Sequence, residues 1–425
     1  MSRLEELRFL NNSQVREIAG KFASPVYVYD EKSLRTRARD MLAFNAPYGL
    51  TVRYAMKACP NVNILRLFHS MGLHIDASSG FEVERAMRAG IPAANILLTA
   101  QERTPDLKAF YDDGVKFDAC NFSQLETFGK LLPGKELGVR INPGAGSGGT
   151  NRTNTGGPAS SFGIWHEYIK DIQEVAKKYS LKIVRVHTHI GSGSDPDLWA
   201  KISSMSIALL DSFPDASTLN LGGGFKVGRM SYEPSVNIPE VSSRAAHLLK
   251  EYAEKTGRKI HLEVEPGTYY MANSAALITR IDSLSDTGKD GYKYYVINAG
   301  LTEVTRPALY GAQHPLVVVP ANDLDDAQDD TEEVIVAGHC CESGDILTPQ
   351  PGDPEGLKPR LVKKAKVDDY LVVDSVGAYC SGMSLKNYNS FPEAAEVWLK
   401  EDGESLLVRK RQVLDQILQN EIKVI

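Results

Sequence analysis

The sequence predicts an α/β fold joined to a β-rich one: an N-terminal (β/α)8 TIM-like barrel and a C-terminal, mostly antiparallel β domain. Three observations predict it. Eight short apolar runs, at 51–56, 73–76, 95–99, 116–120, 137–142, 183–190, 218–221 and 260–265, alternate with amphipathic stretches, the rhythm of strands each followed by a helix. Over roughly 230 residues that rhythm suits a closed eight-stranded barrel, for which about 250 residues is typical. From about residue 282 the rhythm changes, and apolar runs at 294–298, 315–319, 333–337, 370–374, 395–399 and 405–409 follow one another with few helical stretches between them. Finally, polar residues fall at the ends of the barrel runs: Lys57, Asp76 with Ser78 and Ser79, Asn121, Arg140 with Asn142, His189 with Ser192, Gly222 to Gly224, and Glu265 with Gly267. In a barrel these ends share one rim, where the fold carries its chemistry. A doubly wound open sheet has the same rhythm and differs by a reversal of strand order that a sequence does not display.

Taken in order, residues 1–24 read as a helical arm, 25–30 (P-V-Y-V-Y-D) as a half-exposed strand and 31–45 as a helix. The stretch T-V-R-Y-A-M-K is the first barrel strand, ending on Lys57, with Arg53 and Ala55 on the lysine's face. Ile64, Leu65, Leu67 and Phe68 then recur at helical spacing over 61–71. Helical stretches at 81–89, 104–113, 123–131, 166–179, 197–213 and 239–255 separate the later strands. The Gly-, Ser- and Asn-rich segment 144–161 follows the fifth strand and reads as a loop over the rim. Residues 322–333 hold seven acids and read as a solvated loop, and 411–420 as a closing helix.

Composition narrows the function. A net charge of −6 without a basic stripe gives no footing for nucleic acid. No apolar run approaches a membrane span, and the N-terminus has acids where a signal peptide has a basic start. Five cysteines form an odd set without metal-ligand spacing. Reduced thiols in a cytoplasm, and no bound metal, are the expectation.

One strand runs into three glycines, Leu219-Asn220-Leu221-Gly222-Gly223-Gly224. Glycines let backbone N–H groups close on a phosphate. No Gly-Lys-Ser/Thr follows, so this is not a P-loop. With H-I-G-S at 189–192 and E-P-G at 265–267, also at strand ends, the glycines form a phosphate cup, with a lysine reaching in from the first strand.

That arrangement resembles the fold-type III pyridoxal-phosphate decarboxylases, and within them the diaminopimelate decarboxylase family. The resemblance rests on Y-A-M-K-A at 54–58, D-A-S-S-G-F-E at 76–82, H-I-G-S, L-G-G-G-F at 221–225, E-P-G, R-P-A-L-Y at 306–310, C-E-S-G-D at 341–345 and G-A-Y at 377–379. It implies an alanine-racemase-like barrel over 31–281, and a β domain formed by 282–425 with the N-terminal 1–30.

The resemblance also implies roles. Lys57 would hold pyridoxal 5'-phosphate covalently, His189 would stack on its ring, and Glu265 would pair with the ring nitrogen. Ser192, Gly222, Gly223, Gly224, Pro266, Gly267, Thr268 and Tyr379 would surround the phosphate, with Asp76 and Arg140 completing the cofactor set. Arg306, Tyr310, Glu342 and Tyr379 would contact the substrate. Cys341 would return a proton to the reacting carbon. Cys341 and Glu342 would serve the other protomer's site, in a homodimer with shared active sites.

Two departures stand out. The family usually reads E-P-G-R, and Thr268 replaces that arginine here. Threonine cannot replace a charged clamp on a carboxylate, which leaves Arg306 as the charged donor for the far end of the substrate. Ser161 stands where the family often has a lysine before Phe162-Gly163. The leading reading is decarboxylation of meso-2,6-diaminopimelate to L-lysine. Its rivals are a decarboxylase of D-ornithine, D-lysine, arginine or carboxynorspermidine, favoured by Thr268, and a non-catalytic cofactor-binding homologue, which the presence of both Lys57 and Cys341 disfavours.

Overall fold

A computed structural model describes residues 4–146, 156–189 and 191–425. The chain divides into two compact units: one of 35–227 with 234–269, the other of 1–34, Gly228–Glu233 and 270–425.

The first unit is a closed barrel. Its eight strands are Leu50–Ala55, His74–Ala77, Ile96–Leu98, Lys116–Ala119, Glu136–Asn142, Lys182–His187, Thr218–Asn220 and His261–Val264. Each pairs in parallel with its neighbours, the fourth closes on the fifth, and the eighth lies beside the first. A two-residue strand, Ile164–Trp165, adds alongside the fifth. Alternation along each strand sends Tyr54 outward, where its ring meets Phe68 of helix Val62–Ser70 at 4.8 Å, while Arg53 and Ala55 face the interior. Helices end or begin on local chemistry: Ser79 and Asn121 accept the N–H groups of Glu82 and Gln124 as N-caps of Gly80–Arg88 and Phe122–Leu131. Those two polar residues at strand ends are therefore helix caps. Part of the segment expected to overlie the rim, 147–155, lies outside the described residues, as does Ile190 at the end of the sixth run.

The second unit is built on a mixed sheet whose path runs Arg360–Lys363, Thr331–Ala337, Lys293–Ile297, Ala275–Asp286, Val26–Asp30, Ala395–Leu399, Ser405–Arg409, with Tyr370–Val373 bridging Ala275–Asp286 and Leu316–Val319. Most neighbours are antiparallel; Val26–Asp30 with Ala395–Leu399 and Lys293–Ile297 with Thr331–Ala337 are parallel. Val26–Asp30 is a central strand, buried along its whole length, rather than half-exposed. Helix Asn12–Phe22, closed by an Asn11 capping box, lays Val15 and Ile18 on Val26, Val28, Ile278 and Val397. The twelve-residue strand Ala275–Asp286 pairs with Val26–Asp30, so the chain enters this sheet near residue 270 instead of 282. The closing helix is the short Leu414–Leu418.

Candidate active site

The barrel interior is ionic in its middle. Arg53 is fully buried and donates from Nη2 to Glu263 Oε1 at 2.8 Å. Glu263 Oε2 accepts from Arg185 Nε at 2.9 Å, and Arg185 Nη1 donates to Asp118 Oδ1 at 3.1 Å. These residues come from strands one, eight, six and four, each pointing inward by strand parity. Gly138 on strand five makes the space: a Cβ there would lie 1.9 Å from Asp118 Oδ1. The neighbouring guanidinium groups hold Glu263 and Asp118 below the ordinary carboxylate range despite burial.

Two residues further along strands six and eight, the network reaches the rim. His187 Nδ1 lies 3.0 Å from Asp118 Oδ2, and its Nε2 lies 3.3 Å from Glu265 Oε2. Burial keeps His187 neutral, so its one N–H sits on Nδ1 facing Asp118. Its Nε2 faces Glu265 but has no hydrogen-bond partner among the described residues. Burial raises Glu265 to about 7. Asn220 Nδ2 donates to Glu265 Oε1 at 2.5 Å.

The three terminal loops are laced together. Gly193 N–H donates to Gly224 O, Glu265 N–H to Gly222 O, and Ala55 N–H to Pro266 O. Gly222 and Gly224 have φ of +67° and +95°, the left-handed region that glycine tolerates. A Cβ at Gly223 would lie 2.5 Å from Glu265 O, and one at Gly222 would lie 2.9 Å from the His189 ring. His189 accepts at Nδ1 from the Gly191 N–H, and burial beside Arg140 and Lys57 keeps it neutral. Ser192 is in the loop joined to this lacing through Gly193, and Thr268 begins the short helix Thr268–Met271 after Gly267. Lys57 lies one turn past the strand, in the 3-10 turn Met56–Ala58, rather than as its last residue, and is exposed. Its charge acts on Asp76, Glu82 and His189. Asp76 is buried, raised to about 7 by burial and by Glu265, and its Oδ1 finds no partner among the described residues. Arg140 stands on the fifth strand with Phe162 beneath its guanidinium at 5.1 Å.

The remaining expected residues belong to the second unit. Arg306 and Tyr310 open and close the one-turn helix Arg306–Tyr310, the guanidinium 5.6 Å from the tyrosine ring centre. Cys341 and Glu342 are exposed on a loop held by buried Asp345, which accepts the N–H groups of Cys340 and Leu301 at 2.8 Å each. Gly300 and Gly338 leave the room for that carboxylate. Of the five thiols, Cys341 is the exposed one. Tyr379 sits at φ +59° in a turn following Ser375.

Sequence reasoning missed the ionic core, Arg53, Asp118, Arg185, His187 and Glu263, as well as the anchor Asp345. The signal was present: a charge at the inward parity of an otherwise apolar run, as in K-F-D-A, I-V-R-V-H and L-E-V.

A barrel rim with a lysine after strand one, a buried carboxyl after strand eight and laced glycine loops between defines a class, and comparison agrees with it. The family "Pyridoxal-dependent decarboxylase, pyridoxal binding domain" matches residues 32–272, and the chain is a pyridoxal-phosphate-dependent carboxy-lyase of amino acids. Within that class it belongs to the diaminopimelate decarboxylase family. It is 32% identical to the diaminopimelate decarboxylase of Escherichia coli K12, over 97% of each chain. It is 33% identical to that of Buchnera aphidicola subsp. Acyrthosiphon pisum, over 96% of each. A crystal structure of a diaminopimelate decarboxylase, 32% identical, superimposes with a TM-score of 0.89 over 96% of both chains.

The rim fits pyridoxal phosphate on its own terms. The glycine loops exclude side chains where a phosphate would meet backbone N–H groups. Glu265 is a buried carboxyl that no lysine or arginine hydrogen-bonds among the described residues, and a protonated ring nitrogen would supply that cationic partner.

Proposed function

We propose that this chain decarboxylates meso-2,6-diaminopimelate to L-lysine and carbon dioxide, in lysine biosynthesis, as a cytoplasmic homodimer whose protomers share active sites. The observation that carries the substrate reading is Arg306: its Nε is buried and finds no partner among the described residues. A buried guanidinium N–H left open in this way asks for an anion, and a carboxylate is the anion an amino-acid substrate brings.

What pyridoxal phosphate supplies when bound is a sink for the electron pair left behind by carbon dioxide. The protein's part follows from its residues. Lys57 is the amine that would hold the cofactor. Glu265, as the carboxylate, would pair with the ring nitrogen and favour its protonation, and Asn220 fixes the carboxyl plane. Neutral His189 offers a flat face without adding a competing charge. Gly222, Gly223, Gly224, Ser192 and the 266–268 turn hold the phosphate, with Tyr379 adding a hydroxyl. Cys341 Sγ–H would supply the proton that replaces carbon dioxide, and Glu342 and Tyr310 would orient the remote end. In this reading Cys341 and Glu342 act in the partner's site, which suits their exposure on the Asp345-anchored loop.

Carbon dioxide release from meso-diaminopimelate, D-lysine, D-ornithine, arginine and carboxynorspermidine tests the proposal. Equal amounts of carbon dioxide and L-lysine from the first, with little from the others, is the expected result. Preference for D-lysine or D-ornithine would overturn it, with Thr268 the residue that foretold it.

A further inference from the structure

The second unit holds a buried arginine that lies outside the motifs. Arg229 lies in Gly228–Glu233, a short excursion of chain that belongs to this unit. It is 8% exposed. The segment is pinned on several sides. The Arg229 N–H donates to Glu233 Oε2 at 2.8 Å, Asn273 Nδ2 donates to Gly228 O at 3.0 Å, and Arg8 donates to Arg229 O. At Gly228 a Cβ would lie 2.2 Å from Glu233 O, so the turn closes only on glycine. The Arg229 side chain is therefore aimed, with Nε donating to Ser375 O at 3.3 Å.

Its Nη2 is buried and finds no partner among the described residues, and the same is true of Arg306 Nε. The two guanidinium groups act on each other's charge, and both act on His314 and Cys380. His314 is 1% exposed, gives its Nδ1–H to Asp374 O at 3.1 Å and stays neutral, so it brings no counter-charge. Burial first, and Arg306 second, pull Arg229 down to about 9. The Arg306 charge thus reaches Arg229 while both keep an open N–H, the Glu233 carboxylate acts on the Arg229 side chain only through space, and among the described residues no carboxylate hydrogen-bonds either side chain. Such an arrangement costs stability unless an anion completes it. Arg306 is only half-buried and gives the cluster its opening.

We infer that Arg229 and Arg306 together bind the carboxylate of the substrate that is remote from the reacting carbon, Arg229 supplying from another segment the second guanidinium that Thr268 does not. This rests on the reading of the substrate given above and assigns its specificity-determining residue. The ligand class is an α-amino acid with a carboxylate at the end that does not react.

Two ligands that differ only in that group test it. L-Lysine keeps the remote carboxylate after the reaction; cadaverine is the same chain without it. Calorimetric titration of the holoenzyme is expected to show tighter binding of L-lysine than of cadaverine. In Arg229→Gln the L-lysine affinity is expected to fall by about 10–100-fold, the range of one hydrogen bond to a charged group, while cadaverine binding holds within about twofold on the same scale. Arg229→Lys, which keeps the charge, is expected to recover part of the loss and serves as the test if the glutamine variant fails to fold. An unchanged L-lysine affinity in Arg229→Gln, with the wild type still preferring L-lysine, overturns the assignment of Arg229 and leaves the substrate reading standing. Equal losses for both ligands also overturn it, since that is a structural role. If the wild type does not distinguish the two ligands, the substrate reading itself fails and this inference with it.

Discussion

The molecule sets a pair of arginines in each of two places and treats the pairs differently. In the barrel, Arg53 and Arg185 are ion-paired with Glu263 and Asp118, with Arg53 Nη1 left without a partner among the described residues, and Gly138 clears the space for the pairing. In the β unit, Arg229 Nη2 and Arg306 Nε are open, and among the described residues no carboxylate hydrogen-bonds either guanidinium, Glu233 acting on the Arg229 guanidinium only through space. A buried charge is costly to strand, so a closed network is a structural layer, whereas an open one is a site waiting for its counter-ion. The barrel network also has one chemical output. It ends at His187, whose Nδ1 faces Asp118, and at Glu265, whose carboxyl burial raises to about 7.

The largest expected effect lies at the rim. Lys57→Ala should abolish turnover and the visible absorption of the bound cofactor, read by spectrophotometry of the purified protein; an unchanged spectrum would remove Lys57 from its role. Next comes the shared site. Lys57→Ala and Cys341→Ala, each inactive, should recover about a quarter of wild-type activity after random subunit exchange in a twofold dimer. No recovery after proven exchange would confine each site to one protomer.

Stability separates the two arginine clusters directly. Asp118→Asn should lower the unfolding free energy by about 3–5 kcal/mol, the cost of breaking a buried pair. Arg229→Gln should leave it equal or higher, because a stranded charge is removed. Denaturant titration of both variants checks this, and a large loss in Arg229→Gln would make the β cluster structural.

The smallest effect is in pH. Glu265 is raised from 4.5 to about 7 by burial. A carboxyl raised on folding binds extra protons in the folded state, so its contribution is full below pH 4.5 and is lost as pH rises through 7. The groups that act on it are Asn220, Asp118, Arg53 and Arg140, with His187 in contact. The thermal midpoint of cofactor-free Glu265→Gln should therefore fall less between pH 5 and 8 than that of the cofactor-free wild type. Parallel curves would mean that Glu265 is already ionised.

The sequence made the eight barrel strands legible because each carries a short apolar run with a helix after it, and 51–56, 116–120 and 218–221 fall within a residue or two of the observed strands. The motif residues were legible for the same reason, since glycines and polar groups at strand ends share a rim. What stayed hidden depends on parity and on long-range pairing. Val26–Asp30 alternates in sequence yet is buried on both faces, because helix Asn12–Phe22 covers Val26 and Val28 while Tyr27 and Tyr29 reach Glu303 and Ser381 on the other side. Ala275–Asp286 reads as the tail of the barrel until its pairing is known. Arg229 belongs to no motif, and only the closure of the Gly228 turn and the path of Ser375 bring it to Arg306.

The claim that the open cluster exists to hold a remote carboxylate is tested most directly by the ratio of kcat/KM for meso-diaminopimelate to that for D-lysine, in wild type and in Arg306→Ala. D-Lysine lacks the remote carboxylate. The account predicts a wild-type ratio well above one, falling by about 10–100-fold in the variant through loss on diaminopimelate alone, at about 1.5–3 kcal/mol for a hydrogen bond to a charged group. A ratio that does not change on removing Arg306 would contradict it.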